Sequence, residues 1–212
     1  MNRNRALWIV AIVGLALGVT VYATNIYETT DGPMPIADNS GALGDCQTIN
    51  VPDSIVITDV EVEITAAHSW VSDLTFEVTS PASTSLTIIN RSGRNGTGAG
   101  NNVDLVDTTP VRYSDAAPSG LSAETLGDNC TGAAIIDGSA GCEDNYTPDP
   151  DATDTPVAGT GTDFGDFDGE NAQGVWTLCV ADSAGGDTGT LTSWRLGINK
   201  PIPVELLSFS ID

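Results

Sequence analysis

His68 is the only histidine of the chain and the first residue to consider for catalysis. A histidine acts as a general base only when a nucleophile or a second acid–base group lies within reach. The sequence contains no Gly-Thr-Ser nucleophile segment, and a single histidine excludes most Ser-His-Asp designs. A hydrolase with paired carboxylates is a weaker hypothesis, since no aromatic-lined cleft that would position them can be inferred. We therefore predict a structural role for His68, no catalytic residues and no enzymatic activity of the chain's own.

Acidic residues dominate the charge of the protein. There are 29 Asp and Glu residues against 7 Lys and Arg residues, which gives a formal net charge of −22. Between Arg112 and Arg195 the chain has 15 acidic residues and no basic one. Nucleic acids and anionic membrane surfaces require clustered Lys and Arg, so both classes of partner are excluded.

The run D-S-A-G-G-D at residues 182–187 places two carboxylates and flexible backbone carbonyls around one turn. Crowded carboxylates repel one another, and a hard divalent cation with oxygen ligands relieves that repulsion. We predict a calcium ion bound by Asp182 and Asp187, with Asp73 as a third ligand; residues 163–170 form a second candidate. Neither segment matches the EF-hand loop or the nonapeptide calcium repeat. The alternative is a solvated acidic surface that binds no metal.

The N-terminus has the features of an export signal. Residues 1–5 carry arginines, residues 6–21 are mainly apolar, and Val21-Tyr22-Ala23 fits a cleavage site. We predict a helical signal peptide over residues 1–23, with an uncleaved membrane anchor as the alternative. Either segment directs the body out of the cytoplasm. The expected location is therefore secreted, extracellular or at the cell surface, with no stable membrane span once the signal is removed.

The four cysteines are even in number and lack C-x-x-C spacing, which favours disulfides. Cys130 and Cys142 flank a short glycine-rich loop. Cys179 lies on the face of a strand-like run opposite Trp176, where it can fasten the N-terminal segment through Cys46. We favour the pairs 46–179 and 130–142 over one bridge with two free buried thiols.

Apolar residues alternate with polar ones in short runs, and no segment past residue 24 has a helical period. This pattern predicts an all-β, jelly-roll-like β-sandwich over residues 52–200, with long acidic loops and the signal helix in front. Residues 24–51 are predicted as an extended arm or linker, and residues 201–212 as a C-terminal strand or tail. In this sandwich Trp176 and Trp194 are predicted to fill the core between the sheets, although with Trp70 they could line a ligand groove.

A set of landmarks runs through these strands. They are V-x-V-x-I at residues 60–64, H-S at 68–69, D-L at 73–74, S-P at 80–81, R-x-G at 91–93, G-E-N at 169–171, G-x-W-x-L at 174–178, and D-x-G-x-L-x-x-W at 187–194. Together they resemble the P domain (P/Homo B domain), the β-sandwich module that follows the catalytic domain of kexin- and furin-like and bacterial subtilisin-like proteases. The chain departs from that pattern because the turn after Ser80-Pro81 lacks the usual glycine.

The resemblance implies a module that stabilises its neighbour and has no catalytic residues itself. It also implies structural roles for His68, Glu170 and Gly189. The sequence contains no subtilase domain, so we expect this role to require a protein partner. Our hypothesis is a secreted module that binds or stabilises an exported partner, such as a subtilisin-like serine endopeptidase. The alternative is a structural subunit of a cell surface or extracellular filament, in which the arm or the run 204–211 completes a neighbouring subunit's sheet.

Overall fold

A computed structural model describes residues 25–94, 100, 102–117, 122–123, 145–149, 159–199 and 202. The described residues form ten strands and two short 3₁₀ segments, Val71–Asp73 and Phe164–Phe167. The strands are β1 (Ile26–Glu28), β2 (Met34–Ile36), β3 (Asp45–Val51), β4 (Val60–His68), β5 (Leu74–Thr79), β6 (Ser85–Asn90), β7 (Val111–Tyr113), β8 (Asn145–Tyr146), β9 (Gly174–Asp182) and β10 (Gly189–Ile198).

The strands form two sheets that pack face to face. Sheet A has the order β1-β10-β4-β7-β8, and β2 also pairs with β10. Sheet B has the order β3-β9-β5-β6. The described pairs are antiparallel except β7 with β8, which is parallel. The predicted all-β sandwich is therefore confirmed, whereas its jelly-roll connectivity stays a prediction.

The core lies between the sheets and follows the alternation of the sequence. Along β9, Trp176, Leu178 and Val180 are fully buried, while Val175 and Cys179 lie on the other face. From sheet A, Trp194 and Leu196 of β10 are fully buried as well. Alternating side chains point to opposite faces of a strand, so the two inner faces supply one shared apolar layer.

The segment predicted as an arm or linker is built into the sandwich. Its first two strands pair with β10, and its third, β3, is an edge strand of sheet B. A bulge in β10 lies between Leu191 and Ser193. There the side chain of Gln47 in β3 donates a hydrogen bond from Nε2 to the Leu191 carbonyl, at 3.1 Å, and so links the edge strand of sheet B to β10 of sheet A.

The predicted disulfide between Cys46 and Cys179 is confirmed. The two residues lie directly opposite each other on β3 and β9, with a Cα–Cα distance of 4.1 Å. The predicted signal peptide, the pair Cys130 and Cys142, and the run 204–211 lie outside the described residues. Within the described part of the chain, no helix is both long and apolar enough to span a bilayer.

Candidate functional site

A buried polar cluster lies at the end of the sandwich where β4 and β9 finish and β5 and β10 begin. His68, Asp182, Asp73 and Arg91 form its centre, with side chains that are almost entirely enclosed. A buried charge is tolerated only when it has partners. The hydrogen bonds of the cluster therefore indicate what it can do.

The imidazole of His68 is 2% exposed and both of its nitrogens have protein partners. Nε2 lies 3.3 Å from Oδ2 of Asp182. Nδ1 lies 2.9 Å from the Trp70 carbonyl and 3.1 Å from the Trp70 amide nitrogen. A neutral ring with the proton on Nε2 donates to Asp182 and accepts from the Trp70 amide, and a protonated ring donates to Asp182 and to the Trp70 carbonyl. In both states His68 joins β4 to β9.

Asp182 connects three segments of the chain. Its Oδ1 accepts a hydrogen bond from the Ala184 amide at 3.0 Å, which shapes the turn that follows β9. Its backbone carbonyl accepts from the Gly41 amide at 2.9 Å and from the Ser40 hydroxyl at 3.3 Å. The fully buried Asp182 thus joins His68, its own turn and the N-terminal segment in one hydrogen-bonded network.

Asp73 lies close to this network. Burial, followed by the negative charges of Asp182 and Asp187, raises its pKa, and the charge of His68 opposes that effect. Arg91 contributes a guanidinium nitrogen 3.9 Å from Oδ1 of Asp73. Asp187 accepts a hydrogen bond from the Ser69 hydroxyl at 2.7 Å. The three predicted calcium ligands are therefore near enough for their charges to interact.

Charge interaction is a weaker condition than metal coordination. Among the described residues, no three Asp, Glu, His or Cys side chains are grouped so that they could hold one metal ion. Asp182 and Asp187 direct carboxylate oxygens to protein donors. Calcium binding at Asp73, Asp182 and Asp187 remains a prediction.

In the second candidate segment, residues 163–170, the carboxylates also have backbone partners. Asp163 and Asp166 form a reciprocal capping box around the 3₁₀ helix. Hydrogen bonds from the amides of Thr162 and Asp163 lower the pKa of Asp166. Asp115 accepts hydrogen bonds from two amides at the start of that helix, at 3.1 and 3.0 Å. These acids therefore shape the chain before β9.

Gly189 is required by the close approach of His68. The two residues lie opposite each other on β10 and β4. A Cβ atom at position 189 would lie 2.4 Å from the Ala67 carbonyl oxygen and 2.4 Å from Cδ2 of His68. Only glycine lets the backbone of β10 pass the imidazole at this distance.

Glu170 lies at the other end of the sandwich. Its carboxylate accepts hydrogen bonds from the hydroxyls of Ser80, at 2.7 Å, and Thr84. In the turn between these residues, which lacks the family's usual glycine, Ser83 has a positive φ of +73°. Glu170 thereby fixes the hairpin between β5 and β6.

The two predicted core tryptophans lie on different sheets and have no exposed surface. Trp176 donates from Nε1 to the Ala172 carbonyl at 3.0 Å, and its ring centroid lies 5.3 Å from that of Phe167. Trp194 lies opposite Ile64, and its Nε1 has no partner among the described residues. Trp70 is half-buried beside His68.

Sequence reasoning missed a charged group on the outer face of sheet A. Glu63 of β4 lies 3.0 Å from Arg195 of β10 and 3.9 Å from Arg112 of β7. Its neighbour Glu61 accepts a hydrogen bond from the Ile202 amide at 2.7 Å, in a buried setting. The only sequence signal was the presence of acids at alternate positions of a strand whose other face is apolar.

Comparison with known proteins adds two findings. Residues 154–198 match the family model of the proprotein convertase P-domain. A structural search found a serine protease of Aeromonas sobria, with a TM-score of 0.43 and 18% identity over 81% of this chain and 26% of the protease. The complex of that protease with its chaperone gave a TM-score of 0.42 and 18% identity, over 82% and 26%.

The chain spans about a quarter of the length of those proteases. No curated protein matches the sequence. The family match falls on the landmarks from residue 169 onward, and it confirms the resemblance read from them: the chain contains a P-domain-like module.

Proposed function

We propose that this chain is an exported, non-catalytic module that binds and stabilises a protein partner, a subtilisin-like serine endopeptidase. The observation that carries the proposal is the match of residues 154–198 to the P-domain family. That family is non-catalytic and is associated with proteases.

The matched segment forms structural elements of both sheets. It contains β9, which lies between β3 and β5, and β10, which lies between β4 and the first two strands. The resemblance therefore covers the part of the sandwich on which both sheets depend.

The polar cluster supports a structural rather than a catalytic role. His68 is enclosed, and its two nitrogens are engaged by Trp70 and Asp182. A general base needs a nitrogen that can reach the proton of a substrate or nucleophile. The disulfide between Cys46 and Cys179 fits an oxidising compartment and so supports export.

Two exposed apolar side chains are available for contact with a partner. Val56 is 65% exposed and Val175 is 53% exposed, and these are the large hydrophobic residues exposed in the described part of the chain. Val56 forms a β-bridge with Asn171 of the G-E-N landmark, and Val175 is the second residue of β9. In our proposal the partner buries both side chains.

The test is co-expression with a subtilisin-like protease that lacks its own P domain. We expect the two proteins to co-purify and the protease to keep its activity longer at elevated temperature. A variant with Val56→Ser and Val175→Ser should lose both effects while melting like the parent. The control variant, Asp107→Ser with Thr108→Ser, changes two exposed residues of another turn and should behave like the parent. Absence of co-purification together with an unchanged protease lifetime would refute the proposal.

The second candidate function is a structural subunit of a cell surface or extracellular filament. The observation that favours it is the N-terminal segment, which already adds strands to a sheet edge within its own chain. Isolation of a homopolymer instead of a protease complex from the native secretome would support this alternative.

A further inference from the structure

The N-terminal arm, defined here as residues 25–44, occupies one whole edge of sheet A. β1 pairs with residues 195–197 of β10, and β2 pairs with residues 189–191 of the same strand. The opposite edge of β10 pairs with β4. Without the arm, β10 would therefore be an exposed edge strand among the described strands.

The arm also covers the edge of sheet B. Asp31 accepts a hydrogen bond from the Thr48 amide at 2.7 Å, and the Thr29 hydroxyl donates to the Thr48 carbonyl at 3.0 Å. Gln47 donates to the Gly32 carbonyl at 3.1 Å. One short segment thus satisfies backbone groups on β10 and on β3, and it closes this side of the sandwich.

Few apolar contacts hold the arm. Ile36 is its buried hydrophobic residue, and Tyr27 and Met34 are only partly buried against the core. Each of its strands has three residues, and Pro35 of β2 has no amide hydrogen to donate. β3, in contrast, has seven residues in register with β9 and is covalently attached through Cys46. The arm can leave while β3 stays in place.

A hinge joins these two parts. In residues 37–44 the chain folds back, because the Ala37 amide donates to the side chain of Asp45 at 2.7 Å. Asn39 and Gly41 have φ values of +52° and +61°, a conformation that costs free energy for the asparagine. Extended, these eight residues would span about 25 Å.

We propose that the arm is an exchangeable element and that a second copy of this chain is its acceptor. In the exchanged state the hinge is extended, and each arm pairs with β10 of the other protomer in a symmetric dimer. An identical arm re-forms the pairing of β1 and β2 with β10, whereas the folded-back turn of residues 37–44 and its hydrogen bonds to the Asp182 carbonyl are lost. The inference does not depend on the proposed binding of a protease. It shares the N-terminal arm with the filament alternative but differs from it, because symmetric exchange closes a dimer and a filament requires an open contact.

A pair of engineered cysteines distinguishes the closed and exchanged states. Pro35 and Thr190 lie directly opposite each other on β2 and β10. The double variant Pro35→Cys with Thr190→Cys should be unfolded and then refolded at low and at high concentration before it is oxidised. Exchange predicts a covalent dimer on a non-reducing denaturing gel after refolding at high concentration and a monomer at low concentration. The single variant Pro35→Cys controls for unspecific crosslinking. A monomer band alone at every concentration would overturn the proposal.

The hinge provides an independent test. Deletion of residues 39–41 shortens the hinge from eight residues to five and removes the hydrogen bonds of Ser40 and Gly41 to the Asp182 carbonyl. Both changes disfavour the folded-back turn, so the full chain should shift to dimer in light scattering. The matched variant Asn39→Gly relaxes the positive φ and should lower the dimer fraction below that of the parent. If the deletion variant folds as a monomer, exchange is excluded; if it does not fold, the crosslinking result decides.

Discussion

Strand β9 begins in an aromatic environment and ends in a charged one. Near its start, Trp176 packs on Phe167 and donates to a backbone carbonyl. At its end, Asp182 is equally buried, but it is held by His68, by its own turn and by the N-terminal arm. The aromatic end depends on volume and burial, which pH and salt hardly affect. The charged end depends on partners whose ionisation can change. The two ends should therefore respond differently to perturbation.

The largest effect should come from emptying the aromatic end. Trp176→Ala removes a fully buried side chain and should lower the free energy of unfolding by about 3–5 kcal/mol. Urea unfolding followed by circular dichroism measures the change. The half-buried Trp70 provides the control, and Trp70→Ala should cost clearly less. Equal costs for the two variants would contradict the assignment of Trp176 to the core.

Calcium should act at the charged end, if Asp73, Asp182 and Asp187 bind it. Calcium at a hundred times its dissociation constant would stabilise the fold by about 2.7 kcal/mol. For a chain of this length that corresponds to several degrees in melting temperature, at roughly 2–4 °C per kcal/mol. The comparison is millimolar calcium against sodium chloride at equal ionic strength, with Asp187→Asn as the variant that should abolish the gain. Identical melting curves in calcium and in EDTA would leave these carboxylates without a metal.

Asp182→Asn tests the charged end directly. The substitution preserves the size of the side chain but removes the anion beside His68, which should cost about 1–3 kcal/mol. It should also change the pH dependence of unfolding, because the charge of Asp182 helps to raise the pKa of Asp73, whereas Trp176→Ala should leave that dependence unchanged. The control is Asp107→Asn, at an exposed carboxyl whose loss should matter little. If Asp182→Asn unfolds with the same pH dependence as the parent, the two ends of β9 do not differ in their response to pH.

Mild acid should stabilise the protein. Five carboxyl groups have raised pKa values in the folded state, and desolvation by burial is the largest cause for each of them: Asp59, Glu61, Asp73, Glu77 and Asp115. Of the carboxyl groups with a resolved shift, only Asp166 has a lowered pKa. A carboxyl group with a raised pKa binds its proton at a higher pH in the folded state than in the unfolded state. The free energy of unfolding should therefore rise as the pH falls from about 7 towards the ordinary carboxyl range near 4. Thermal melts at constant ionic strength measure this, and Asp73→Asn should reduce the gain. A steady loss of stability between about pH 7 and pH 5 would contradict the prediction.

The smallest predicted effect is a gain in stability from a substitution in the turn between β5 and β6, next to Glu170. Ser83 has a positive φ, so Ser83→Gly should stabilise the protein by up to about 1 kcal/mol. The matched variant Ala82→Gly lies next to it, where no such strain exists, and should be neutral or slightly destabilising. If both variants lose stability equally, the conformation of Ser83 is not strained.

Much of the sandwich could be predicted because alternation is a local signal. Cys179 lies on the face of β9 opposite to that of Trp176, and this was sufficient to predict that its disulfide partner, Cys46, lies on the same outer face. The absence of the family's usual glycine from the turn after Ser80-Pro81 was also visible, and in that turn Ser83 adopts a positive φ.

The missed features depend on pairing between distant strands. Glu63 meets Arg195 and Arg112 only because β4 lies between β10 and β7 in one particular register. A single sequence does not specify that register. The integration of the N-terminal arm was missed for a similar reason, because three-residue strands are too short to show a period.

The position of the disulfide determines how the module would respond to mechanical load. Asn25 and Ile198 are joined by a backbone hydrogen bond, so tension applied at these two points would open the pairing of β1 with β10 one bond at a time. The peeling arm would extend until the force reached Cys46. From there the load would pass through the sulfur atoms to Cys179, which is 133 residues further along the chain. The bridge closes residues 47–178 into a loop that cannot be pulled out as extended chain. A tethered copy would therefore lengthen by its arm and then stop extending until the pairing of β10 with β4 failed.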